Sequence, residues 1–188
     1  MLRSLPNALT LGRIALIPVV MLLIYMPGDA ARWAAAGLFV LAAVTDYLDG
    51  WLARRLDVVS EIGRALDPIA DKLLVAAVLL MLAGVGRLSD LALIPAVVIL
   101  SREILVSGLR EALAGRNVVM PVTRLAKWKT TAQLAALPLL LVGDAGSVIG
   151  LSLQGPGEAL LWIAGGLTAR TGYTYVMQAL AHMREAPS

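Results

Sequence analysis

The chain has 188 residues, 59% of them hydrophobic and only 15% charged, with a mean hydropathy of +0.81. A soluble domain of this size carries roughly a quarter charged residues, so the composition excludes an ordinary water-soluble fold and indicates an integral membrane protein. The absence of cysteine excludes disulfides and thiolate metal sites, and with His182 as the one histidine no metal site built on imidazole is expected; the net charge of +3 is modest and no nucleic-acid partner is expected.

Taken in chain order, six apolar stretches are predicted as helices: about Leu9–Met26, Trp33–Ala53, Gly63–Gly86, Leu91–Leu109, Thr131–Val142 and Ala159–Leu180. Their uninterrupted apolar cores are mostly 10–13 residues long, shorter than the ~20 that a spanning helix needs. The shortfall follows a pattern. The first stretch is polar at its start (Asn7, Thr10, Arg13), the second at its end (Asp46, Asp49, Arg54), and the third again at its start (Asp67, Asp71, Lys72). The fourth ends on Arg102, Glu103 and Arg110, the fifth starts with Lys127, Lys129 and Gln133, and the sixth ends on Arg170, Tyr173 and Gln178. Because consecutive spans alternate in direction, all these polar ends fall on one side of the membrane. The expectation is an all-α integral membrane bundle of six transmembrane helices with a polar cavity open to one side.

Positive residues identify that side as the cytoplasm. Arg3, Arg54, Arg55, Arg64, Arg110, Arg116, Arg124, Lys127, Lys129 and Arg184 lie there, against Arg32 and Arg87 in the opposite loops. Both termini are therefore expected in the cytoplasm. Outer turns are expected at Gly28, at Gly84 and Gly86, and between Gly143 and Gly157. Arg3 is followed by no apolar run ending in a small-residue cleavage site, so no removed signal peptide is expected. No repeat or domain boundary is visible, and residues 1–188 read as a single membrane domain.

The chemistry concentrates between Asp46 and Asp71. The residues run Asp46, Asp49, Gly50, Ala53 and Arg54, then eight positions to Gly63, then Asp67 and Asp71. The first two acids are spaced i,i+3 and the second two i,i+4, so each pair shares a face of its own helix. Both pairs lie roughly two turns in from the connection at 55–61; at 1.5 Å per residue their depths match, and antiparallel neighbours would set the four carboxylates opposite one another. Four acids repel unless cations lie between them. Oxygen-only ligation suits hard cations, so Mg²⁺ or Mn²⁺, as a pair of ions, is the expected cofactor. Divalent ions under a membrane surface point to phosphoryl-group transfer at a diphosphate. The competing readings are structural ion pairs with Arg54, Arg64 and Lys72, or an ion pathway, and ionisable groups at membrane depth are costly enough to favour a functional site.

Across Asp46–Asp71 the chain resembles the CDP-alcohol phosphatidyltransferases, matching their signature at every defined position and spacing. The resemblance implies a six-helix membrane enzyme, a homodimer, of a bacterial cytoplasmic membrane. It implies Asp46, Asp49, Asp67 and Asp71 as metal ligands, Asp71 also as the base for the acceptor hydroxyl, and Gly50, Ala53, Arg54 and Gly63 as the lining of the cytidine diphosphate pocket. The runs at 6–13, 101–111 and 127–133 resemble the phosphatidylglycerophosphate-forming branch of that family. Two departures are Ala126, where that branch has Gly, and Thr171-Gly172-Tyr173-Thr174-Tyr175 in place of Ser-Gly-Tyr-Asp-Tyr.

The implied substrates are CDP-diacylglycerol and sn-glycerol 3-phosphate, with membrane lipids as surroundings. The acceptor brings about two negative charges and needs cations beside the cavity. Arg110 and Lys127 are the first choices, then Arg102 and Lys129, against the simpler role of positive-inside anchors. Asn7 and Thr10 share a face of the first helix and serve either the nucleotide phosphates or the helix cap. Trp51, Trp128 and Trp162 read as interfacial residues. A cardiolipin synthase using phosphatidylglycerol as acceptor would share the same site. A carboxylate-based ion transporter would have no use for the Ala53-Arg54…Gly63 pattern, and a prenyltransferase would need a larger bundle.

Overall fold

The computed structural model describes residues 5–56, 61–114 and 123–185, and the side chains within them except those of 5–10, 49–56, 61–68, 71, 114, 124, 149 and 182–185. Among these residues all regular structure is helical. The helices are α1 (Leu5–Tyr25), α2 (Asp29–Leu56), α3 (Glu61–Gly84), α4 (Leu93–Ala114), α5 (Arg124–Val142) and α6 (Gln154–Glu185), with single 3₁₀ stretches at Asp90–Ala92 and Gly143–Ile149. Each apolar stretch of the sequence corresponds to its own helix with different bounds: α1 and α3 stop short of Met26 and Gly86, α4 begins at Leu93 rather than Leu91, and most of the helices run further at the polar end. The fifth begins at Arg124 rather than Thr131, and the sixth extends to Glu185 rather than Leu180. Hydropathy marks only the apolar part of a helix, whereas Arg, Lys, Gln and Ala propagate helical backbone well beyond it.

Three described segments are long and apolar enough to cross a membrane: Asp29–Leu48, Asp90–Leu113 and Leu125–Val148. Leu11–Tyr25 and Lys72–Gly84 are apolar over shorter lengths. Leu22, Leu41, Leu80, Val97, Ile104 and Ile163 are each more than half exposed, an arrangement that favours lipid as the surrounding solvent. The protein is a multi-pass membrane protein. Pro18 and Pro138 sit inside α1 and α5 without ending them, as membrane helices tolerate when freed backbone groups are re-satisfied locally.

The chain forms two compact units, Met1–Leu88 with Leu137–Gly157, and Ser89–Ala136 with Glu158–Ser188. In the first, α1 packs against both α2 and α3, and Val20, Ile24, Phe39, Leu79 and Leu82 are fully buried. Gly86, at φ 68°, closes α3: its N–H donates to Ala83 O at 3.1 Å and the Arg87 N–H to Leu82 O at 2.8 Å. This double bond pattern needs a left-handed residue, which is why glycine stands there. Gln154 Nε2 donates to the Arg87 carbonyl at 2.7 Å and Trp33 Nε1 to Ala145 O at 3.3 Å. Burial, and then the charge of Arg32, hold the Arg87 guanidinium below its ordinary pKa.

In the second unit Ser89 caps the 3₁₀ turn by accepting from the Ala92 N–H, and it donates its own N–H and hydroxyl to the Glu158 carboxylate at 3.0 and 2.8 Å. Helices α4 and α6 meet where Gly165 faces Pro95. A Cβ at Gly165 would lie 2.6 Å from Pro95 Cβ and 3.1 Å from its Cα, so only a glycine lets the backbones approach this closely. Gly165→Ala is accordingly expected to destabilise the protein by about 1–3 kcal/mol through overpacking. Gly166→Ala, which would meet nothing within 4 Å, should be neutral or gain up to about 1 kcal/mol from helix propensity. Thermal unfolding of the two variants in detergent checks this; equal midpoints would contradict the packing assigned to Gly165.

Candidate functional site

Helix α2 runs unbroken through Asp46 and Asp49, and α3 through Asp67 and Asp71. The helical backbone thus puts each acid pair on one face of its helix, as the spacing requires. Asn7 and Thr10 lie on α1, Gly50, Ala53 and Arg54 on α2, and Gly63 on α3. All of these belong to the first unit. The side chains of Asn7, Thr10, Asp49, Gly50, Ala53, Arg54, Gly63, Asp67 and Asp71 lie outside the described residues.

Asp46 is described, and it is an ion-pair partner. Its Oδ1 lies 2.6 Å from Nη1 of Arg13, which α1 delivers at 4% exposure while the carboxylate keeps 40%. The pair is close but poorly aligned, since among the described residues Arg13 Nη1 makes no hydrogen bond and neither does its buried Nε. The sequence reading sought partners for the acids in Arg54, Arg64 and Lys72 and gave Arg13 no role. A signal was nevertheless present: an arginine at the start of an apolar helix needs a counter-charge. The donor set itself is all carboxylate, spread over two helices, and its one described member keeps a partly exposed carboxylate. That chemistry fits a hard divalent cation.

The second unit holds the four cations assigned to the acceptor and divides them. Lys127 and Arg110 are exposed. Lys129 is buried and its Nζ bonds Glu103 Oε1, the same oxygen that lies 3.4 Å from Arg102 Nη1. Neighbouring residues on a helix do not face each other, which accounts for the longer Arg102 contact; the Lys129 bond between α5 and α4 is the tighter one. Glu103 therefore serves two cations in a setting where its own side chain is 16% exposed. Sequence reading passed over Glu103, although an acid in an apolar helix is the same kind of signal as Arg13. Tyr175 of α6 was given no role either, although it closes the Thr171–Tyr175 run that was compared with the family's Ser-Gly-Tyr-Asp-Tyr. Its hydroxyl accepts from Arg110 Nη2 at 2.8 Å, and the Arg102 guanidinium carbon lies 5.3 Å from its ring centroid. Gly172, one turn earlier, leaves room for Arg102, whose Cγ would be 2.8 Å from any Cβ there.

A buried ion pair that loses one partner leaves an uncompensated charge, at a cost of about 3–5 kcal/mol. Glu103→Gln is therefore expected to lower the thermal midpoint sharply, and adding Lys129→Gln should recover part of the loss. Additive losses in the double variant would show that the two side chains are not energetically coupled.

Known proteins match this chain over most of its length. The family model for CDP-alcohol phosphatidyltransferase matches residues 3–170. A protein of Rickettsia bellii named CDP-diacylglycerol–glycerol-3-phosphate 3-phosphatidyltransferase is 51% identical over 172 residues, covering 92% of this chain and 93% of that protein. A Pseudomonas fluorescens protein of the same name is 42% identical over 96% of this chain and 92% of its own length. A rice protein named cardiolipin synthase (CMP-forming) is 40% identical over 88% of this chain and 54% of its own.

Proposed function

The chain belongs to the CDP-alcohol phosphatidyltransferase family, and we propose that within it this protein transfers the phosphatidyl group of CDP-diacylglycerol to sn-glycerol 3-phosphate. The products are phosphatidylglycerophosphate and CMP. One observation carries the reading: about half of all positions are identical, over nearly the whole of both chains, to bacterial proteins named for that reaction.

The residues take the following parts. Asp46, Asp49, Asp67 and Asp71 would hold two Mg²⁺ or Mn²⁺ ions, which when bound offset the charge of the diphosphate and of the CMP leaving group. Gly50, Ala53, Arg54 and Gly63, with Asn7 and Thr10, bind the cytidine diphosphate part of the donor. Arg13 holds Asp46 against α1 and so fixes where that carboxylate points. Asp71 takes the proton of the acceptor's primary hydroxyl. The freed oxygen attacks the phosphorus that carries diacylglycerol, and the bond from that phosphorus to CMP breaks. Arg110 and Lys127, both exposed, receive the phosphate of glycerol 3-phosphate, while Lys129 and Arg102 are paired with Glu103. The protein would act as a homodimer of single-domain subunits.

Purified protein supplied with CDP-diacylglycerol and a panel of acceptors tests the reaction directly. Divalent-cation-dependent CMP release with glycerol 3-phosphate is expected, and the product lipid should be phosphatidylglycerophosphate. Turnover with phosphatidylglycerol instead would favour the cardiolipin-forming reading. Single Asp→Ala changes at positions 46, 49, 67 and 71 should abolish transfer. Asp71→Asn should still bind CDP-diacylglycerol while losing roughly 10²–10⁴-fold in kcat, the range for a missing general base. Wild-type turnover in Asp71→Asn would remove the base from this position.

The orientation proposed is six crossings with both termini and the polar helix ends in the bacterial cytoplasm. The asymmetry of Lys and Arg supports it. A cysteine introduced at Ser147, an exposed residue of the turn after α5, should react with a membrane-impermeant thiol reagent in intact cells. Reaction only after permeabilisation would reverse the topology and the side assigned to the site.

A further inference from the structure

The largest fully buried side chain among the described residues belongs to a tyrosine that has so far been given no task. Tyr175 is 1% exposed. A buried phenol needs a partner for its hydroxyl, and packing alone would be served equally well by phenylalanine. Here the partner is Arg110: its Nη2 donates to Tyr175 Oη at 2.8 Å, and its guanidinium carbon lies 5.0 Å from the ring centroid. Arg110 is itself exposed. One end of its guanidinium is thus moored to a buried hydroxyl while the residue stays accessible.

The surroundings make this more than a single contact. The guanidinium carbon of Arg102, about two turns earlier on α4, lies 5.3 Å from the centroid of the same ring. Gly172 opens the notch through which Arg102 passes, and Tyr175 follows on the same side of α6. Arg102 is also tethered to Glu103, which bonds Lys129. Arg110 has no carboxylate partner among the described residues. Its charge is left for something else, and its geometry is set by Tyr175. An arginine on a helix surface samples many rotamers and loses them on binding an anion; mooring it beforehand removes that loss.

We propose that Tyr175 is a positioning residue that pre-orients Arg110 to receive a phosphomonoester anion, through the bond from Arg110 Nη2 to its hydroxyl. The proposal rests on the assignment of Arg110 to the acceptor phosphate and adds the group that holds it in place. Tyr175 does not touch the substrate. Its effect passes through Arg110, so the hydroxyl should matter for acceptor affinity and should matter only while Arg110 is present.

The test is a set of glycerol 3-phosphate titrations at saturating CDP-diacylglycerol on full-length wild type, Tyr175→Phe, Arg110→Gln and the double variant, with thermal midpoints alongside. Tyr175→Phe keeps the ring and its packing. It should raise the KM for glycerol 3-phosphate roughly three- to tenfold, the worth of one hydrogen bond to a charged group that stays partly solvated. The rise in KM should exceed any fall in kcat, and the KM for CDP-diacylglycerol should not follow it. The double variant should show the KM of Arg110→Gln alone, since the hydroxyl can then no longer act through the Arg110 guanidinium. A raised KM in Arg110→Gln with an unchanged KM in Tyr175→Phe would overturn the positioning role and leave the acceptor site standing. Unchanged KM in both would overturn the acceptor assignment and this proposal with it. Multiplicative effects in the double variant, or a Tyr175→Phe defect confined to the thermal midpoint, would show that the tyrosine acts on stability and not through Arg110.

Discussion

The cost of placing charge in an apolar, lipid-facing chain governs the arrangement of this protein. With 15% charged residues and most helix surface apolar, each buried ionic group must find a counter-charge, a hydrogen bond or a functional ligand. The described residues show two such solutions. In one unit, Arg13 and Asp46 pair between α1 and α2. In the other, Glu103 takes Lys129 and Arg102, and Tyr175 takes Arg110. The helices are joined at these polar points as much as by their apolar faces. Between lipid-embedded helices there is little hydrophobic drive to associate, so small-residue contacts such as Gly165 on Pro95 and polar links such as these take a larger share.

The same economy explains how one helical scaffold supports group transfer between two anionic substrates. Acids stand on α2 and α3, where the proposed divalent ions would be held, and cations stand on α4 and α5, where the proposed acceptor phosphate would be held. The two sets belong to different compact units of the chain. Within the cationic set, burial sorts structural from available charges. Lys129 and Arg102 are neutralised in part by Glu103, and Arg110 and Lys127 remain exposed. A carboxylate close enough to compensate every cation would weaken anion binding, and one Glu for two cations leaves a positive excess.

Much of this was legible in the residues. Composition named the membrane, hydropathy located six helices, and the spacing of Asp46, Asp49, Asp67 and Asp71 located the acids on two of them. Family membership followed from the same run of residues, because its spacing reflects faces of single helices and needs no knowledge of how helices pack. Helix ends were less legible. Apolarity stops where lipid contact stops, and α5 and α6 continue through polar residues that favour helix just as strongly.

The sequence by itself determined whatever depends on local periodicity and on composition: the all-helical class, the membrane setting, the acid motif and the family. What only the tertiary structure decided was pairing. Nothing in the order of residues assigns Arg13 to Asp46, Lys129 to Glu103, or the hydroxyl of Tyr175 to Arg110. Each of these joins residues on different helices, whose rotation and register are set by packing across the whole unit. A sequence shows that a charge in an apolar helix needs a partner. Which partner it finds is a property of the packed helices, because the choice among chemically equivalent groups is made by distance alone.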